Sequence, residues 1–152
     1  MVTVDSSPFY PDYRDSLAHN LHRIGQLIRE ETNKVLKKYD LTPEQWQVLV
    51  VLAHHNGLTP TELGEKTLRD KTTVSRILPA LFRKGYLIKE AHHSDARSYI
   101  VRLDEEYMDF VENTRLEIKH NFDCKVFASL CETDRERLRD LIVRLRGELG
   151  DL

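Results

Sequence analysis

Residues 59–103 read TPTELGEKTLRDKTTVSRILPALFRKGYLIKEAHHSDARSYIVRL, and the fold follows from the points where this stretch changes its period. Thr59-Pro60-Thr61-Glu62 combines an N-cap, a proline where no amide is needed and an acid three residues past the cap, so a short helix opens here and runs to about Lys66. Asp70 caps the next helix. There Val74, Ile77, Leu78, Leu81 and Phe82 form one apolar stripe at helical spacing, leaving Lys71, Thr72, Thr73, Ser75 and Arg76 on or near the opposite face. Pro79 cannot donate to the Ser75 carbonyl and predicts a bend, and Gly85 ends the helix. From Tyr86 the pattern turns β-rich: runs at 86–90 and 99–103 flank the polar stretch 91–98, which predicts a two-stranded ribbon with a charged tip.

Upstream, Thr42-Pro43-Glu44-Gln45 repeats the start signal and opens a helix carrying Trp46, Val48, Leu49 and Leu52, which stops at Asn56-Gly57. Before it, Tyr10, Tyr13, Leu17, Leu21, Ile24, Ile28 and Val35 line one stripe of a long helix over about 9–39. After the ribbon, a helix over about 105–131 places Val111, Ile118, Phe122, Val126 and Leu130 on one side. Thr133-Asp134-Arg135-Glu136 then caps a sixth helix with Leu138, Leu141, Ile142, Leu145 and Leu149. The expected fold class is mainly α: a winged helix-turn-helix head with long N- and C-terminal dimerisation helices and a two-stranded β wing. The expected organisation is an N-terminal dimerisation helix (1–40), the head (41–103) and C-terminal dimerisation helices (104–152), one intertwined domain overall. The terminal stripes exceed what so small a head can cover, so they are expected to bury one another across a two-fold axis.

The 152 residues are 40% hydrophobic and 32% charged, enough apolar material for a core and too charged for a membrane partner. Met1–Tyr10 has neither a basic start nor an apolar run, so a cytoplasmic location is expected. The net charge of −2 conceals an asymmetry: residues 66–102 hold nine Lys/Arg against three acids, a local balance of +6. A basic block within an acidic chain is the footprint of a phosphate-binding surface. In a winged helix-turn-helix the second helix of the pair enters the major groove and the wing reaches the backbone or minor groove. A two-fold dimer would set two such helices about 34 Å apart, which suits a pseudo-palindromic operator in double-stranded DNA.

Leu63-Gly64-Glu65-Lys66 with Asp70-Lys71-Thr72-Thr73-Val74-Ser75-Arg76 resembles the helix-turn-helix of the MarR family of dimeric bacterial transcription regulators. Leu81-Phe82-Arg83-Lys84-Gly85-Tyr86-Leu87-Ile88 is similar to that family's exit into the wing, and Ser94-Asp95-Ala96-Arg97 with Val101-Arg102-Leu103 to its wing signature. The resemblance implies that Lys71, Thr72, Thr73, Ser75 and Arg76 face bases or phosphates, that Asp95 holds the wing and that Arg97 probes the minor groove. An arginine fork suits both a guanine edge and a narrow, negative minor groove. The resemblance also implies a small aromatic or acidic ligand in a cleft between the dimerisation helices and the head, with His22 and Trp46 as its candidate lining. Repressor and activator bind DNA alike, so the sequence does not separate the two. Pro79, Asp104 and Tyr107 depart from the family's pattern, which usually has a polar helix former at the first and Thr and Gly at the others.

His54-His55 and His92-His93 are adjacent pairs without the i, i+4 spacing of a helical metal site, so no metal is expected. Protonation of the wing pair would instead add positive charge beside phosphate. Cys124 and Cys131 are expected to be buried thiols about 10 Å apart on one helix, too far for an intrachain disulfide. No phosphate-cradling glycine loop, nucleophile elbow or zinc-protease helix occurs, so neither catalytic residues nor a cofactor are expected. Two further readings stay open: a winged-helix protein–protein interaction module, and a thiol-based redox-sensing regulator acting through Cys124 and Cys131.

Overall fold

A computed structural model describes residues 16–151. Tyr10 and Tyr13, which open the predicted apolar stripe, lie outside the described residues. Helix α1 (Leu17–Leu36) is capped by the Ser16 side chain and followed by a 3-10 turn at Lys37–Tyr39. Helices α2 (Pro43–Ala53) and α3 (Pro60–Thr67) each start with a complete capping box: Thr42 with Gln45 and Thr59 with Glu62 each satisfy the other's backbone amide. Helix α4 (Lys71–Arg83) is capped by Asp70, and the chain then forms an antiparallel ribbon of β1 (Leu87–Ala91) and β2 (Tyr99–Leu103) with Leu87 opposite Leu103. A 3-10 turn at Glu105–Tyr107, capped by Asp104, leads into α5 (Met108–Lys125), and α6 (Glu132–Glu148) follows.

The core gathers from all parts of the head. Leu36, Leu49, Leu63 and Leu81 are fully buried, with Val101 of β2 beside them, and each such leucine contributes about 1.5–3 kcal/mol relative to exposure. Leu58, ahead of α3, exchanges both backbone hydrogen bonds with Val101 at 3.0 and 2.8 Å. This pairing gives the ribbon a third rung that covers the inner edge of β2. Tyr107 packs against Tyr86, ring centroids 4.6 Å apart, so it serves as an aromatic brace between the wing's base and α5.

Among the described residues, nothing covers most of the apolar stripe of α1 ahead of Val35 or that of α6. Leu17, Leu21, Ile24 and Leu27 of α1 are exposed, and α6 buries no residue at all although Leu138, Leu141, Ile142, Leu145 and Leu149 lie along it.

Several expectations need correction. Helix α5 stops at Lys125, and a turn through 126–130 separates it from α6, so Cys124 and Cys131 do not share a helix. Cys131 itself is the N-cap of α6, which therefore starts at Glu132, ahead of the expected Thr133 cap. Both cysteines are exposed on this chain rather than buried, Cys124 near the end of α5 and Cys131 ahead of α6. Strand β1 begins at Leu87, one residue late, since Tyr86 is spent on the turn after Gly85, where Tyr86 donates to the Leu81 carbonyl at 3.1 Å. Pro79 is accommodated inside a continuous α4.

Candidate nucleic-acid interface

The turn between α3 and α4 is built by backbone contacts that exclude most side chains. Arg69 donates its amide to the Gly64 carbonyl at 2.8 Å, and a Cβ on Gly64 would stand 2.8 Å from the Arg69 carbonyl oxygen. Only glycine fits there. Leu68 completes the turn in the left-handed region, φ 51°, and the buried Thr67 hydroxyl donates to the Leu63 carbonyl at 2.6 Å. Asp70 then receives the Thr73 amide at 2.8 Å and the Thr73 hydroxyl at 3.0 Å, bonds that hold its carboxyl below the usual carboxylate range.

This start sets which side chains of α4 face outward. Lys71, Thr72, Ser75 and Arg76 are exposed, whereas Thr73 is half-buried with its hydroxyl committed to Asp70. Pro79 and Arg83 extend the exposed row beyond Arg76. The same i, i+3, i+4 count that placed Arg76 finds them, although the sequence reading stopped at Arg76. Among the described residues no carboxylate pairs with the guanidinium of Arg76, Arg83 or Arg97. Other basic residues of the block are engaged inside the protein. Lys84 binds Asp40. Arg102 donates to Asn56 at 2.5 Å and lies 2.8 Å from the Glu90 carboxylate, and the Lys89 ammonium sits 4.1 Å from the Tyr99 ring centre.

The wing tip is a chain of short bonds. His92 Nδ1 accepts the amides of Ser94 at 3.2 Å and Asp95 at 3.1 Å. Asp95 Oδ1 accepts the Arg97 amide at 2.9 Å, and the Asp95 carbonyl accepts the Ser98 amide at 3.0 Å. Asp95 therefore shapes the segment that presents the exposed Arg97. The two candidate ligand residues are not brought together in the same environment: Trp46 is only 8% exposed in the core, and His22 is exposed on α1. A separate cleft of about 770 Å³ lies between the end of α2, the back of the wing and the start of α5, lined by His54, Ile88, Arg102 and Met108 among others. Neither His22 nor Trp46 lines it. Cys124 Sγ lies 3.7 Å from His120 Nε2, and Cys131 donates to Asp134 at 3.2 Å.

Residues 39–98, which span the helix-turn-helix and the wing tip, match the MarR family model. This head is similar to the MarR family's. The chain is 25% identical over 114 residues to the HTH-type transcriptional regulator PapX of Escherichia coli, covering 74% of this chain and 70% of PapX. Its fold matches that of the Staphylococcus aureus MepR–DNA complex with a TM-score of 0.76 at 21% identity, over 88% of this chain and 98% of MepR. CouR of Rhodococcus jostii RHA1, solved with p-coumaroyl-CoA, matches with a TM-score of 0.76 at 16% identity, over 88% and 93% of the two chains. In the coarse sense these likenesses support, the chain is similar to DNA-binding transcriptional regulators of the MarR family over its head and shares their fold. No described helix is long and apolar enough to cross a membrane.

Proposed function

We propose that this chain is a MarR-type transcriptional regulator that acts as a homodimer on a pseudo-palindromic duplex operator, with α4 in the major groove and the wing in the adjacent minor groove. The terminal helices, 1–40 and 104–152, form the dimer and carry the 41–103 heads at groove spacing. The carrying observation is the outward row on α4, where Thr72, Ser75 and Arg76 are exposed and the guanidinium has no carboxylate partner among the described residues. An arginine held in that state keeps its fork for a guanine edge or a phosphate. The uncovered apolar stripes of α1 and α6 support the dimer, because exposed apolar surface of this extent calls for a partner.

The deciding experiment is selection of bound fragments from the source genome, followed by a salt titration on the selected duplex. Binding should fall steeply and linearly in log affinity against log salt, with protection over two half-sites about one helical turn apart. Salt-insensitive binding, or no selected fragment, would sink this reading in favour of a protein-binding winged helix.

A small aromatic or acidic effector is a natural extension, supported by the similarity to ligand-bound CouR. With Trp46 in the core, the lining of such a site comes from α1 residues such as His22 together with the partner subunit. A redox role for Cys124 and Cys131 is compatible with their exposure.

A further inference from the structure

We infer that His92 is the positioning residue of the wing and that its protonation releases the wing tip, so that DNA affinity falls on acidification. This rests on the reading of the wing as a DNA contact. A backbone amide can only donate. The Nδ1 atom that faces the amides of Ser94 and Asp95 at 3.2 and 3.1 Å must therefore present its lone pair. Imidazolium carries a proton on that nitrogen and would aim an N–H at two other N–H groups, with only the Ser94 hydroxyl, at a longer 3.4 Å, able to accept it. The two amide bonds of the tip as built thus require neutral His92.

The consequence reaches Arg97 through Asp95. His92 holds the Asp95 amide, Asp95 holds the Arg97 amide through its carboxylate at 2.9 Å, and the Asp95 carbonyl holds Ser98 at 3.0 Å. Releasing the first bond frees the residue on which the other two depend. The wing then pays the ordering entropy of Arg97 at the moment of binding rather than beforehand.

The charges around His92 give the imidazolium somewhere to go. From α3, the Glu62 carboxylate lies within electrostatic reach of His92, and Lys66 acts on the same carboxylate. The amide and hydroxyl of Thr59 hold Glu62 below the usual carboxylate range, so it stays anionic while imidazoles titrate. From the tip itself come His93, Asp95 and Arg97, and at the end of β1 Glu90 is already matched with Arg102. Protonation therefore exchanges two amide bonds for attraction toward Glu62. The sign is opposite to that of a cation simply added beside phosphate, which is the effect exposed His93 would have.

The test uses the full chain and its selected duplex at constant salt, comparing about pH 8 with about pH 5.5, on either side of the usual imidazole range. His92→Asn places a non-titrating oxygen where Nδ1 stands, His92→Ala removes the acceptor, and His93→Asn reports the neighbouring charge. At about pH 8, His92→Asn should bind like the unmodified protein and His92→Ala more weakly. On acidification the unmodified protein should lose about three- to tenfold relative to His92→Asn, the size of one loosened contact. The backbone amide resonances of Ser94 and Asp95 should move with one common midpoint in the unmodified protein and stay still in His92→Asn. Identical pH profiles for the unmodified protein and His92→Asn, or amide signals indifferent to pH, would overturn the proposal. If those amides follow His92 while Arg97→Ala binds as tightly as the unmodified protein at about pH 8, the wing's role in DNA contact fails and the affinity claim with it.

Discussion

Lys84, the C-cap of α4, donates to the Asp40 carboxylate at 2.8 Å and also to the Asp40 carbonyl, tying the exit of α4 to the turn that follows α1. Asp40 sits in the left-handed region at φ 53°, and its amide closes onto the Lys37 carbonyl. Its carboxylate is 94% exposed, so the ion pair itself contributes little. Backbone conformation is the larger effect. Asp40→Gly should therefore stay within about 0.5 kcal/mol of the unmodified protein, whereas Asp40→Ala should fall about 1 kcal/mol below Asp40→Gly. Urea midpoints at one fixed protomer concentration read the difference, and equal midpoints would assign the turn to the ion pair.

Asp70 predicts how acid acts on the head. Its carboxyl titrates below the ordinary range because the folded state supplies the Thr73 amide and hydroxyl. A carboxyl depressed on folding stabilises above its unfolded pKa of about 3.9 and loses that contribution as the pH falls through the lower folded value. Asp70→Ala should thus lower Tm at neutral pH, and its deficit should shrink below about pH 4. A deficit that is constant with pH would mean that the carboxylate charge plays no part in the cap.

Arg76 and Arg97 separate base reading from groove reading. Arg76→Ala should cost about 1–3 kcal/mol and relax specificity at one position per half-site if the fork reads a guanine. Arg97→Ala should weaken binding with little change in preference outside A/T-rich flanks, because a wing arginine senses groove width. Binding measured on a panel of single-base operator variants distinguishes them. Uniform losses for both mutants would reduce Arg76 to a phosphate contact.

Assembly is tested on α6, where Leu141 and Leu145 are 55% and 45% exposed on the single chain. Replacing both with Asp should dissociate the dimer or unfold the protein, and operator binding should disappear with the loss of the second half-site. Sedimentation at low micromolar concentration gives the oligomeric state. A proven monomer with unchanged operator affinity would refute the two-half-site mechanism.

The head was largely legible because its signals are local. Thr42, Thr59 and Asp70 each cap amides three residues away, and the stripe from Val74 to Phe82 needs only the helical repeat. The C-terminal boundary was misread for the same reason: the apolar spacing through Phe122, Val126 and Leu130 continues the helical pattern across a turn. Neither Pro nor Gly marks the break there. Thr73 was placed correctly on α4, yet only the structure showed that its hydroxyl serves Asp70.

The sequence by itself therefore determined the element order, the caps of α2, α3 and α4, the basic surface and the family likeness, all encoded within a few residues of chain. Tertiary structure alone decided the Leu58–Val101 pairing that completes the ribbon, the Lys84–Asp40 tie across 44 residues, and which arginines remain free. It also decided that His92 turns its Nδ1 onto the wing tip, a choice of ring orientation that no spacing encodes. Such contacts depend on how separately stable segments dock, and docking geometry is set by the shape of the whole core rather than by any local propensity.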